Sequence, residues 1–258
     1  MPNFPKQHFL LYKHFTMKNL LIIGGLLFFT IVSATAQPRS SQRIPLIGSK
    51  APAFKAPSTN GPISFPGDFG DRWKILFAHP RDFTPVCSSE ILDLAYRQQD
   101  FNALNTQVVV ISVDRMVSHQ SWKADLESIN FKDRGKVKIE FPLVVDSSYA
   151  IAYKYGMVDT QFTTGQSVRG IFFIDPNNVV RAFQFYPSEV GRNTEEILRT
   201  LKALQTHDQH ENILLPANWQ PGDDYMKPFL TPQDKEALKK PDSDIYFINW
   251  YMIFKKAR

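Results

Sequence analysis

The chain has 258 residues, 43% of them hydrophobic and 13% aromatic, which is enough to bury a full core and still carry an extension. Its formal charge is +5, but Lys6, Lys13 and Lys18 lie in the first 36 residues, which hold no acid; the remainder has 27 basic against 25 acidic residues. That balance is too weak to argue for nucleic-acid binding or a membrane-surface role, and neither partner is expected.

In chain order, residues 17–37 read MKNLLIIGGLLFFTIVSATAQ, a lysine followed by an apolar run from Leu20 to Val32 and small residues ending at Ala34, Thr35 and Ala36. This pattern predicts a signal peptide over residues 1–36, cleaved after Ala36, with Met17 as the true start and a periplasmic or extracellular destination. The other reading is an unprocessed N-terminal apolar helix. The run is shorter than the roughly 20 residues of a spanning helix, so no stable membrane insertion is expected after cleavage.

The stretch IGSKAPAFKAPSTNGPISF is dense in proline, serine and glycine and reads as a loop. WKILFAH, from Trp73, reads as a buried strand, and SSEILDLAYRQQDFNAL as a helix with Ile91, Leu94, Ala95, Phe101 and Leu104 on one face. QVVVISVD is a second strand, VSHQSWKADLESI a helix, FPLVVD a third strand, and SSYAIAYKYG a helical turn closing at Gly156. RGIFFID and VVRAFQFYP form a hairpin turning between Pro176 and Asn178. Asn193 and Glu196 give a capping-box pattern before Ile197, Leu198, Leu201 and Leu204. Strands alternating with helices predict an α/β fold on a central sheet. Composition shifts near His207, and the tail from Glu211, with LLPANWQPGDDYMKP, reads as a loop-rich appendage.

The stretch HPRDFTPVCSSEI, residues 79–91, holds the single cysteine, Cys87. In an exported chain such a thiol is buried filler, an intermolecular partner or a reactive group. Thr84 as N-cap and Pro85 at the first helical position place Cys87 in a first helical turn, facing free backbone N–H groups. Its pKa should fall there, and thiolate is the reactive form. Each residue also has an ordinary explanation: Cys87 as a small buried hydrophobe, Thr84 as a plain cap, Pro80 as a rigid loop residue, His79 as an exposed polar residue, Glu90 as a favourable early-helix acid, Arg169 and Arg192 as surface or loop arginines. Spacing alone leaves both readings open. The histidines are scattered and no glycine-rich phosphate loop is present, so neither a metal nor another cofactor is expected.

Taken together, Pro80, Thr84 and Cys87 form a P-x-x-x-T-x-x-C pattern that resembles the active-site motif of the peroxiredoxin (AhpC/TSA) family. HPRDFTPVC is similar to its one-cysteine, peroxiredoxin 6-like branch, and RGIFFID, YPSEVGRNTEEILR and PANWQPGDDYM resemble that branch in order. The resemblance implies a thioredoxin-like domain over about 44–207, a central mixed β-sheet flanked by helices, and a C-terminal peroxiredoxin extension over 208–258. It also implies that Cys87 is the peroxidatic nucleophile, that Thr84 hydrogen-bonds thiolate and peroxide, that Arg169 stabilises their charge and that Pro80 shields the sulfur. His79, Glu90 and Arg192 fall where this branch supports and orients the site.

The implied activity is reduction of hydrogen peroxide and organic hydroperoxides, with an external thiol as reductant and a homodimer as the assembly. The branch's phospholipase serine has no counterpart, because the matching stretch GDRWK carries Arg72. Two alternatives stand beside this reading: a disulfide exchanger, disfavoured because Glu90 occupies the second cysteine position of C-x-x-C, and a non-enzymatic binding or chaperone-like module with an inert thiol. The final stretch DIYFINWYMIFKKAR matches no expected pattern.

Overall fold

A computed structural model of the protein describes residues 44–158 and 167–257; the predicted signal segment lies outside the described residues. The proline-rich stretch expected to be a loop instead forms a hairpin of β1 (Phe54–Ser58) and β2 (Gly61–Phe65). Phe54, Ile63 and Phe65 alternate inward, and Pro62 is tolerated because β2 is an edge strand. β3 (Trp73–Ala78) follows, then α1 (Pro85–Tyr96) and α2 (Gln98–Ala103). These two helices were expected as one. The break is at Arg97, whose φ of −106° and ψ of 6° leave the helical range while its side chain pairs with Asp100 and Glu195.

Next come β4 (Thr106–Ser112), α3 (Met116–Ser128), β5 (Leu143–Val145) and α4 (Ala150–Lys154). The expected hairpin is β6 (Arg169–Ile174) with β7 (Val180–Tyr186), its turn carrying Asn178 at φ 60°. α5 (Thr194–Gln209) is capped by Asn193, whose side-chain oxygen accepts from the N–H groups of Glu195 and Glu196 at 2.9 and 3.2 Å. Only this half of the expected box forms among the described bonds, since the Glu196 carboxylate accepts instead from Arg199 and Thr200.

Among the described residues one sheet has seven strands in the order β2-β1-β5-β4-β3-β6-β7, with β3, β4 and β5 parallel and β6 antiparallel to β3. Period-two alternation divides its side chains between two cores. Ile75, Phe77, Val110, Ile171 and Phe173 pack under α1, α3 and α5, while Leu76, Val109, Ile111, Phe172 and Ile174 pack with α4 and the β1-β2 hairpin. Each fully buried side chain of this kind contributes roughly 1.5–3 kcal/mol. This is the thioredoxin-like mixed sheet flanked by helices.

The C-terminal segment is more ordered than its composition suggests. β8 (Tyr225–Lys227), α6 (Pro232–Ala237), β9 (Ile245–Asn249) and β10 (Met252–Lys255) include a three-stranded sheet in the order β8-β10-β9. A buried ion pair of Lys227 and Asp234 at 2.7 Å ties β8 to α6, and Thr231 and Asp234 complete a capping box. The unassigned stretch DIYFINWYMIFKKAR is thus mostly a β-hairpin, with Trp250 84% exposed at its turn.

Gly156 closes α4 at φ +66°, and a Cβ there would lie 2.6 Å from Ile44 Cγ1 and 3.2 Å from the Ile44 backbone. Gly156→Ala should lower stability by roughly 1–3 kcal/mol, seen as a lower urea midpoint with an unchanged slope.

Candidate active site

β3 ends at Ala78 and α1 starts at Pro85, so residues 79–84 form a short loop that delivers Cys87 to the first turn of α1. Thr84 takes the N-cap position with extended backbone (φ −111°, ψ 146°), but its side chain does not cap the helix. Its hydroxyl donates to the Arg81 carbonyl at 2.9 Å and also lies near enough to favour the Cys87 thiolate. The one hydroxyl proton therefore has two acceptors in reach. Pro80 is buried in the same loop.

Cys87 has no exposed surface. Burial pushes its thiol up, and the His79 imidazole beside it, the Thr84 hydroxyl and a backbone contact at Arg81 outweigh that, bringing it down to about 6. His79 is itself fully buried, contrary to the exposed alternative, and neither of its ring nitrogens makes a hydrogen bond of ordinary geometry. Its influence on the sulfur is therefore best described as close electrostatic contact.

β6 runs antiparallel beside β3 in a register pairing Phe77 with Ile171, which brings Arg169 level with the loop after β3. Arg169 Nη1 lies 3.2 Å from Cys87 Sγ and 2.7 Å from Glu90 Oε2, while Nε and Nη2 donate to the Ser188 carbonyl at 3.0 and 2.6 Å. Its charge is thus shared between the sulfur and a carboxylate. Glu90 stands three residues after Cys87 on α1, so the two groups share a helix face. Its Oε1 accepts from the Arg192 backbone N–H at 2.8 Å and from Arg192 Nε at 2.9 Å; its Oε2 accepts from Arg192 Nη2 at 2.9 Å.

Arg192 Nη1 donates to the Gly170 carbonyl at 2.8 Å, and the guanidinium carbon sits 3.3 Å from the Phe77 ring centroid, a cation–π contact. Burial pushes the Glu90 carboxyl up, but the bonds and charge of Arg192, then the charge of Arg169, more than reverse this and hold it below the usual range.

The structure therefore brings together the seven predicted residues, Cys87, Thr84, Arg169, Pro80, His79, Glu90 and Arg192. Sequence reasoning passed over the backbone acceptors at Ser188 and Gly170, the Phe77 ring and the carboxylate of Asp82, which sits inside the HPRDFTPVC stretch. The chemistry available is that of a charge-stabilised thiolate in a water-poor site. Among the described residues no group of three or more His, Cys, Asp and Glu side chains is placed to hold a metal ion.

Comparison with known proteins accounts for this arrangement. The AhpC/TSA family pattern matches residues 47–183, and the C-terminal domain of 1-Cys peroxiredoxin matches residues 203–240. A peroxiredoxin of Methanosarcina mazei is 41% identical over 83% of this chain and 98% of its own. The chain belongs to the AhpC/TSA family of peroxiredoxins. A peroxiredoxin of Thermotoga maritima is 38% identical over 83% of the chain and 99% of its own.

Among solved structures, a yeast mitochondrial 1-Cys peroxiredoxin superposes with a TM-score of 0.72 at 37% identity, covering 82% of this chain and 99% of its own. A mutant of peroxiredoxin 6 from Arenicola marina gives 0.71 at 29% identity, covering 83% and 98%. As a peroxiredoxin with a single cysteine, the protein is a thiol peroxidase that takes peroxide and works with a redox partner. The binding-module alternative gives way to this.

Two outcomes follow from the geometry. Glu90→Gln leaves two buried guanidinium groups short of their counter-charge, and should cost about 3–5 kcal/mol in chemical denaturation of the reduced protein. Because the thiol is lowered to about 6, alkylation of Cys87 by iodoacetamide should rise with pH through that value and level off above it; a midpoint near that of an unperturbed thiol would contradict this.

Proposed function

We propose that Cys87 is the peroxidatic nucleophile and that Arg169, Thr84 and Pro80 form its immediate surroundings, with His79, Glu90 and Arg192 holding them in place. The single observation carrying this reading is the Arg169 guanidinium 3.2 Å from a sulfur whose thiol is brought down to about 6. The thiolate attacks one peroxide oxygen: an S–O bond forms, the O–O bond breaks, and sulfur loses two electrons to become sulfenic acid. The other oxygen leaves as water or an alcohol after taking a proton. Arg169 stabilises the negative charge developing on that oxygen, and Thr84 turns its hydroxyl from the Arg81 carbonyl to the reacting atoms.

The sulfenic acid has no second cysteine in the chain to condense with. An external thiol forms a mixed disulfide and releases water, and a second thiol frees Cys87 as its own disulfide forms. The yeast mitochondrial 1-Cys peroxiredoxin is resolved through glutathione and thioredoxin systems, which makes those two the first reductants to try. Arg72, at the position of the branch's phospholipase serine, bonds to Gln107, Asn102 and the Thr106 carbonyl, which supports a structural role and no lipase chemistry at that position.

The family resemblance supports a homodimer, and the signal-like segment over residues 1–36 supports export. Light scattering on the mature chain, and its N-terminal mass in the exported fraction, test these two points.

Intact-mass spectrometry after one equivalent of hydrogen peroxide, with dimedone as the trap, tests the chemistry. One dimedone adduct is expected on the wild-type chain and none on Cys87→Ser. Arg169→Lys should react about a hundredfold more slowly, the usual scale for losing one preorganised charge-stabilising donor. Unmodified Cys87 in the folded protein would overturn the assignment.

A further inference from the structure

Asp82 lies two residues before Thr84 and is only 3% exposed. A buried carboxylate needs partners, and these converge from the first turn of α3. Ser118 Oγ donates to Asp82 Oδ2 at 2.8 Å, and His119 Nδ1 lies 2.9 Å from Oδ2 and 3.2 Å from Oδ1. His119 is fully buried and its Nε2 is 3.2 Å from the Val144 carbonyl of β5, so this ring is anchored at both nitrogens. The main chain is fixed as well: the Asp82 N–H donates to Asp114 Oδ2 at 2.9 Å, which also accepts from Ser112 Oγ at 2.8 Å.

His79 is the opposite case. Its ring is buried with neither nitrogen bonded, and it packs 5.0 Å from Trp122, whose indole N–H donates to Ser88 Oγ on α1 at 3.2 Å. A buried polar group left unpaired is costly. Asp82 Oδ1 is 3.6 Å from His79 Nε2, just beyond bonding distance. The other ionisable group against this imidazole is the Cys87 thiol. The Asp82 carboxylate therefore faces this ring at ion-pair distance, and holding it in place limits how the ring can turn.

We infer that Asp82, held by Ser118 and His119, is a positioning residue for the peroxidase reaction, keeping the His79 imidazole in place beside Cys87 from an anchor on α3. The logic is that of an activated nucleophile whose neighbouring imidazole is oriented by a third group. The inference rests on Cys87 being the peroxide-reactive thiol, and its test reads the thiol separately from the peroxidase activity.

The experiment compares the pH profile of iodoacetamide alkylation of Cys87, and the rate with hydrogen peroxide, in wild type, Asp82→Asn, His119→Gln and Ser118→Ala, each first checked for folding by circular dichroism. Asp82→Asn should move the alkylation midpoint upward from about 6 and slow the peroxide reaction about tenfold, the scale seen when a residue that orients a working histidine is lost. His119→Gln and Ser118→Ala should shift the midpoint in the same direction by less, and they decide the matter if Asp82→Asn does not fold. A purely structural role would lower the denaturation midpoint and leave the alkylation midpoint at its wild-type value. That result in every folded variant overturns the inference. A low wild-type midpoint without peroxide reduction would instead overturn the assignment of Cys87, and the peroxidase role inferred for Asp82 with it; the shift of the alkylation midpoint in the variants distinguishes that failure from a failure of the positioning itself.

Discussion

The site depends on one buried carboxylate. Glu90 accepts from Arg169 and Arg192, and through them it ties α1 to β6 and to the loop leading into α5. A single acid between two guanidinium groups leaves a net positive charge in a buried volume. Such a cluster is costly unless an anion completes it. Cys87, three residues before Glu90 and within 3.2 Å of Arg169, is placed to be that anion. The thiolate is thus the fourth charge of a buried cluster, and the sum over Cys87, Glu90, Arg169 and Arg192 is zero only when the thiol has lost its proton.

The sheet makes this clamp possible by register. β6 lies antiparallel to β3, so the chain enters β6 at Arg169 where it leaves β3 toward His79. Ser167, just before β6, donates to the His79 carbonyl at 2.8 Å and pins the two strand ends together. Gly170 has no room for a side chain, since a Cβ would sit 2.6 Å from Met157 Sδ, and its carbonyl is one of the acceptors that orient Arg192. The alternation that buries Ile171 and Phe173 on one face and Phe172 and Ile174 on the other fixes this register, because a one-residue slip would exchange the two cores. Core packing and site geometry are therefore set by the same pattern.

What the sequence shows directly is what is local. Runs such as WKILFAH and RGIFFID declare buried strands, and Pro85 after Thr84 declares a helix start. The β1-β2 hairpin escaped because its prolines and glycine obscure a short alternation of Phe54, Ile63 and Phe65. The helix break at Arg97 coincides with a pairing to Glu195, nearly a hundred residues away, which no local window contains. Of the site, spacing places Cys87 in a first helical turn after Thr84 but leaves its role open, whereas Pro80, Arg169 and Arg192 gained meaning only through family resemblance. Asp82 and His119 were invisible for the same reason as Arg97: their pairing crosses from the β3-α1 loop to α3, and in VSHQSW a histidine looks like any polar helix residue.

The lowered thiol, brought down by His79, Thr84 and the Arg81 backbone, and the charge of the clamp bear on both halves of the reaction cycle. On the proposed roles, a thiol lowered to about 6 is ionised at neutral pH and ready to attack peroxide. Lowering a thiol's pKa weakens its intrinsic nucleophilicity, so ionisation alone gives a limited gain and the charge stabilisation by Arg169 has to supply the rest. The return step gains more simply. When a second external thiol attacks the mixed disulfide, a sulfur with a low pKa is the better leaving group. Sulfenic acid and mixed disulfide are both neutral at sulfur, so each leaves the Glu90 clamp with an unbalanced positive charge, and release of the thiolate restores the balance. With a single cysteine in the chain, the resolving thiol must come from outside, and the clamp's need for an anion favours Cys87 as the sulfur that leaves.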